Sequence, residues 1–192
     1  MEHKPIIGFV GLGPMGHGMA KNLLQGGYDL WVRGRSNRKP VESLLSIGAH
    51  EALSPKDMAE RCDVIHICLS NSPQIEAVMR APDGILAAAR AGLVVIDAST
   101  ADPSSTESLA AELAAVGGHF VDAPLGGTPA QAESGQLSAM VGCDEAVFDR
   151  VRPIIDCWAS SATRIGPGGS GHKMKLLMNF IGLSYGALFS EV

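Results

Sequence analysis

The sequence predicts an α/β fold: a Rossmann-like, doubly wound, mostly parallel sheet that leads into the start of one long helix. Three observations carry that expectation. Short uninterrupted apolar runs such as IIGFV (6–10) and LVVID (93–97) recur between helical segments, as parallel strands buried on both faces require. The first run is followed at once by a glycine-rich turn and a helical pattern. From about His172 onward the chain is apolar nearly all round, the mark of a helix built to be buried.

The elements follow in order. After IIGFV comes MGHGMAKNLLQGG, a helix with Met15, Met19, Leu23 and Leu24 near helical spacing and Gly26-Gly27 as its stop. DLWVR is the second strand. Residues 38–47 read as a helix closed by Gly48, and SPKDMAERC as another with Ser54 as cap and Pro55 in its first turn. DVIHICL (63–69) and LVVID are buried strands, with SPQIEAVM and GILAAARAG between them as helices. DPSSTESLAAELAAVGG is a helix started by Asp102 and Pro103. HFVDAP and LSAMVG are the last strands, and 144–155 is a further helix. The β-α-β-α-β order implies right-handed crossovers.

Composition narrows the classes of function. The 192 residues suffice for one substantial domain, and 46% hydrophobic with 18% charged residues describes a globular chain. A net charge of −5 leaves no electrostatic footprint for nucleic acid or an anionic membrane. Cys62, Cys68, Cys143 and Cys157 lack metal-type or CxxC spacing, which points to reduced thiols in a cytoplasmic protein. The N-terminal apolar stretch is too short and glycine-rich for a signal peptide. The run 176–189 falls short of the ~20 residues a membrane span needs.

GLGPMG holds GxGxxG as Gly11, Gly13 and Gly16. Alone the motif is weak; directly after a strand and opening a helix it has a mechanism. Gly11 permits the tight turn, Gly13 lets the backbone approach a pyrophosphate, and Gly16 lets helix and strand pack closely. Leu12 and Met15, between these glycines, are placed with them at the cofactor. The helix N-terminus adds free N–H groups and positive potential. At the end of the second strand an NAD site carries an acidic residue for the ribose, and an NADP site carries basic ones. Here Arg33, Arg35, Ser36 and Arg38 crowd that end while Asp29 comes too early, so NADP is expected, with NAD possible.

Other polar residues carry less. His66, inside a strand, reads as a core histidine. His172 reads as a polar contact, and Asp97 and Asp122 as acceptors for loop N–H groups near the ends of their strands. Ser99 has equal claim as a substrate contact or a turn residue. No spacing suggests a metal site, and no serine sits in a nucleophile elbow.

GFVGLGPMGHGMAKNL, DASTADP, DAPLGGTPAQAESGQLSAMVG and GPGGSGHKMKLLMN together resemble, in order and spacing, the β-hydroxyacid dehydrogenases. That group includes 3-hydroxyisobutyrate dehydrogenase and tartronate semialdehyde reductase; the imine reductases are distant relatives. The resemblance covers essentially the whole chain. It implies a dinucleotide domain (1–165), then a linker and the first part of a long helix (166–192) leading to an all-helical domain that completes the site and dimerises. It further implies that Leu69 and Ser70 lie against the cofactor and that Thr100 approaches the nicotinamide. Substrate groups come from the loop after DAP, and the lysine of the last helix is the acid/base.

Two departures bear on the substrate. Where most members have Ser-Gly-Gly after DAP and one apolar residue, this chain has Gly126-Gly127-Thr128, which leaves backbone N–H groups and the Thr128 hydroxyl to hold a carboxylate. The usual Lys-x-x-Asn-Asn is Lys175-Leu-Leu-Met178-Asn179, so one polar contact has become a thioether, and a smaller or more apolar substrate is inferred.

Of the two lysines in the last helix, Lys175 has Asn179 four residues on, whereas Lys173 has Leu177. The motif glycine-then-lysine selects Lys175 too. Burial lowers the pKa of an ammonium and makes it a better proton donor. Lys173 is left as a solvated or cofactor-phosphate contact. Three readings stay open: a hydroxyacid dehydrogenase with Lys175 as acid/base, an imine reductase-like enzyme, and a cofactor-binding module without turnover.

Overall fold

The computed structural model describes residues 4–191. Six parallel strands form its centre: β1 (Ile7–Val10), β2 (Leu30–Arg33), β3 (His50–Glu51), β4 (Val64–Ile67), β5 (Val94–Asp97) and β6 (His119–Asp122). Their order across the sheet is β3-β2-β1-β4-β5-β6, so β1 lies between β2 and β4 and the chain reverses direction of travel beside it. Crevices for ligands form at the strand C-termini at such a point.

Alternate residues of the strands feed two cores. Ile7, Phe9, Val64, Val94, Ile96 and Val121 face α1 (Pro14–Gln25), α2 (Lys39–Leu45) and α7 (Glu145–Ile155). Val10, Ile65, Ile67, Val95 and Phe120 face α3 (Pro55–Arg61), α4 (Ser72–Arg80) and α5 (Pro103–Ala114). Both faces of a central strand are therefore covered, which is why its sequence is apolar without alternation. Caps sit where the sequence places them: Ser54 accepts the N–H of Asp57 and Asp102 that of Ser104.

Beyond β6 the sheet changes character. β8 (Leu137–Gly142) runs antiparallel to β6 and to β7 (Leu125–Gly126), and β9 (Ala159–Gly166) pairs parallel with β8. The short α6 (Pro129–Glu133) follows β7 and packs on α1, where Gly18 leaves no room for a Cβ against the Ala132 backbone. The last helix, α8, spans Ser170–Ser190.

Two expectations are corrected. GILAAARAG is not a full helix: Ile85–Ala88 form one 3-10 turn, enough to bury Ile85, before the chain becomes extended at Ala89. And LSAMVG is not the last strand, since β9 follows and pairs with β8. In α8 only Gly171 and His172 are buried, while Phe180, Leu183 and Phe189 are 71%, 75% and 80% exposed. Its apolar surface has nothing packed on it among the described residues. None of their helices is long and apolar enough to cross a membrane.

Candidate functional site

Each glycine of the turn after β1 is required for a different reason. Gly11 has φ 99°, and a Cβ there would run into the Cys68 carbonyl of the neighbouring strand end. A Cβ at Gly16 would strike the Gly11 carbonyl oxygen and crowd Phe9, so helix and strand touch here without side chains between them. Gly13, the residue before α1, has no atom within 4 Å of where a Cβ would stand. It borders open space: a cleft of about 990 Å³ lined by Val10–Gly13, Arg33–Asn37 and Cys68–Ser70, with Pro73, Ala77 and Val78 along one wall. A bare backbone at a helix N-terminus facing a cleft of this size fits the diphosphate of a dinucleotide. Leu12 lines the cleft, whereas the Met15 side chain packs on the core instead.

The basic cluster after β2 divides. Arg38 is turned away, donating to both carboxylate oxygens of Glu51 at 2.5 and 2.8 Å, and it holds the Glu51 carboxyl below its usual range. Arg33 donates to the Ala52 carbonyl at 3.3 Å. Arg35 and Ser36 line the cleft, and the exposed Arg35 guanidinium has no hydrogen bond or ion pair among the described residues. Asn37 and Gln74 line it as well, which the sequence reading missed because neither belongs to a motif. Asp83 is the one carboxylate among the described lining residues.

Leu69 and Ser70 continue the cleft wall. Ser99 is not presented to it. The residue is 3% exposed; its hydroxyl accepts the Leu69 N–H at 2.9 Å, and its own N–H goes to Asp97 Oδ1 at 2.9 Å. It therefore ties two strand ends together, which corrects its candidacy as a substrate contact. Burial raises the Asp97 carboxyl, with the nearby His172 opposing. Thr100, next along, is exposed.

Gly126 is half-buried and Gly127 exposed, the latter with φ 133°. Thr128 is otherwise employed than expected. Its hydroxyl caps α6 by accepting the Gln131 N–H at 3.3 Å, and its own N–H donates to Gln131 Oε1 at 2.9 Å. This reciprocal cap uses both groups assigned to a carboxylate.

The start of α8 is built from remote residues. Asp122, at the end of β6, accepts the N–H groups of Gly169 at 2.7 Å and His172 at 2.8 Å. Gly171 and Gly142 close over that carboxylate, with no room for a Cβ on either. Lys173 points outward and pairs with Glu107 at 2.7 Å, both exposed, which removes it from the cofactor. Lys175 and Asn179 are half-buried, one turn apart, and neither has a hydrogen bond or ion pair among the described residues.

His66 is fully buried, stacked on Phe9 and edge-on to Trp158; its ring nitrogens and the Trp158 Nε1 lack partners among the described residues. Burial pushes its pKa down to about 3. The four cysteines are free thiols. No group of three or more His, Cys, Asp or Glu among the described residues is arranged to hold a metal.

Residues 6–166 match the family described as the NAD binding domain of 6-phosphogluconate dehydrogenase. The chain belongs to this family. Its relatives include 2-(hydroxymethyl)glutarate dehydrogenase of Eubacterium barkeri, 36% identical over 94% of this chain and 60% of that protein. Another is 2-hydroxy-3-oxopropionate reductase of Escherichia coli, 36% identical over 91% and 59%. Among solved structures, 3-hydroxyisobutyrate dehydrogenase from Salmonella typhimurium superposes with a TM-score of 0.85 at 30% identity, covering 93% of this chain and 62% of that one. Psf3 in complex with NADP+ and 2-OPP does so at 0.85 and 28%, covering 91% and 61%. The resemblance to the β-hydroxyacid dehydrogenases thus holds across the NAD-binding domain, and the chain spans about 60% of the length of the first of these relatives.

Proposed function

We propose that this chain is the dinucleotide-binding part of a cytoplasmic NADP(H)-dependent oxidoreductase that interconverts a short β-hydroxyacid and its semialdehyde. The observation that carries it is Lys175: a half-buried ammonium without a partner among the described residues, one turn from Asn179, on a helix whose first turn is fastened to strand ends beside a glycine-cradled cleft. In this reading residues 1–165 hold the cofactor, and 166–192 begin the part that covers the substrate.

Gly11, Gly13 and Gly16 set the backbone for the diphosphate, Leu12, Leu69 and Ser70 line its path, and Arg35 with Ser36 meets the ribose 2′-phosphate. Thr100 lies toward the nicotinamide. The bound nicotinamide supplies or accepts the hydride. Lys175 Nζ gives a proton to the carbonyl oxygen in reduction and takes the hydroxyl proton in oxidation, with Asn179 orienting it. General acid–base help of this kind is worth about 10² to 10⁴ in rate. The substrate carboxylate falls to the Gly126–Gly127 backbone, since Thr128 is engaged by Gln131. The free thiols favour a reducing compartment, and the all-helical domain that the resemblance implies would make the protein a homo-oligomer.

Titrating NADPH and NADH by fluorescence on this chain, and screening 3-hydroxyacids with a protein of the relatives' full length, tests the reading. Lys175→Ala should leave cofactor affinity unchanged and lower turnover by about 10² or more. Full activity in Lys175→Ala would remove the acid/base role, and cofactor binding without turnover of any hydroxyacid would favour a binding module.

A further inference from the structure

The buried side of α8 holds a connection that the proposed chemistry does not use. His172 is 0% exposed, and its ring is gripped from two elements. Nδ1 lies 2.7 Å from Thr106 Oγ1 of α5, and Nε2 lies 3.1 Å from the Ser99 carbonyl. A carbonyl only accepts, so Nε2 carries a proton and donates to it. The Asp97 carboxylate stands behind, 3.9 Å from Nε2.

Ser99 is the shared member. Its carbonyl takes the His172 ring, while its hydroxyl takes the N–H of Leu69, which lines the dinucleotide cleft. The backbone N–H of His172 is held from the other side by Asp122. Two hydrogen bonds thus join the cleft wall to the helical turn that bears Lys175, three residues beyond His172. The Ser99 and His172 groups are buried and the Leu69 N–H is half-buried, where a hydrogen bond has little water to replace it.

We infer that His172 is a positioning residue that couples occupation of the dinucleotide cleft at Leu69 to the placement of the Lys175 turn, with Ser99 as the link. The inference rests on the dinucleotide reading above but not on Lys175 being the acid. Ordering of the 69–70 loop by cofactor is transmitted to Ser99 Oγ, and the Ser99 carbonyl, in the same residue, holds the imidazole and with it the first turn of α8. Coupled sites of this kind typically differ about 5-fold or more between free and bound states.

The experiment is amide hydrogen exchange on the 192-residue chain with and without NADPH, in the original sequence, His172→Leu and His172→Gln. In the original, NADPH should slow exchange at Leu69 and, by roughly 5-fold or more, at His172 to Lys175. His172→Leu should keep the first effect and lose the second. His172→Gln, whose amide can still donate to the Ser99 carbonyl, should restore it, which a merely space-filling role would not do. Equal slowing at 172–175 in His172→Leu, or slowing that stops at Leu69 in the original, overturns the inference. Absence of any slowing at Leu69 with NADPH or NADH sinks the dinucleotide reading instead, and the inference with it. Should the His172 variants fail to fold, Ser99→Ala carries the same test, because it removes only the hydroxyl; retained slowing at 172–175 in it is equally fatal.

Discussion

The carboxylate of Asp122 caps a helix that begins 48 residues later, accepting the His172 N–H at 2.8 Å and the Gly169 N–H at 2.7 Å. Its negative charge sits where the helix presents unpaired donors. Asp122→Ala strips both bonds in a buried setting, and a loss of about 1–3 kcal/mol is expected. Chemical denaturation of the two proteins measures it. Asp122→Asn, which keeps an acceptor, should lose less.

The three glycines of the turn separate stability from binding. Gly16→Ala places a methyl on the Gly11 carbonyl and should cost about 1–3 kcal/mol through overpacking. Gly13→Ala meets no atom within 4 Å and its φ of −69° suits alanine, so the melting temperature should hold. Its methyl instead occupies the space needed by a diphosphate, and NADPH affinity should fall by 10-fold or more, about 1.4 kcal/mol. Binding titration beside thermal unfolding distinguishes the two.

Arg35 and Arg38 are three residues apart and expected to behave differently. Arg38 is committed to Glu51. Arg35→Ala should weaken NADPH by roughly 10-fold or more, the worth of a charged hydrogen bond, and leave NADH within about 2-fold. Arg38→Ala should change neither beyond about 2-fold. Equal losses for both cofactors in Arg35→Ala would mean that the 2′-phosphate is not its partner.

Acid stability should trace to His66. Its folded pKa is about 3 against an ordinary 6.5, so the unfolded chain binds the proton first. Its contribution is intact above pH 6.5 and declines as pH falls toward 3, by about 1.4 kcal/mol per unit. His66→Phe, which keeps the stacking on Phe9, should flatten that slope. The difference between the two proteins isolates His66 from other titrating groups such as Asp97. Parallel pH profiles would show that the imidazole is not the source.

The central sheet and its cleft were legible because local signals agree with their tertiary role. IIGFV is apolar since β1 is covered on both faces, and GLGPMG needs Gly11 and Gly16 for close contacts with Cys68, the Gly11 carbonyl and Phe9. The far edge was not. β9 is written SSATRIG after Ala159, mostly exposed residues on a strand whose one partner is β8, so no hydrophobic run announces it. Thr128 was misassigned although TPAQ, at 128–131, carries the T-x-x-Q signature of a capping box. Ser99 was ambiguous because only the meeting of β4 and β5 shows what its hydroxyl faces. Thr106, mid-helix, gave no sign that it would meet a histidine 66 residues away.

Where α8 is clamped also decides how error spreads along it. Among the described residues the helix is gripped at its first turn and its apolar face is uncovered beyond it, so a load on the outer turns would tilt it about Ser170 like a boom. At 1.5 Å per residue, Lys175 lies ~7.5 Å from that pivot and Ser190 ~30 Å. A swing of ~5° displaces the tip by ~2.6 Å and the ammonium-bearing residue by only ~0.7 Å. Whatever presses on the outer turns, the short lever arm shields the lysine from most of it.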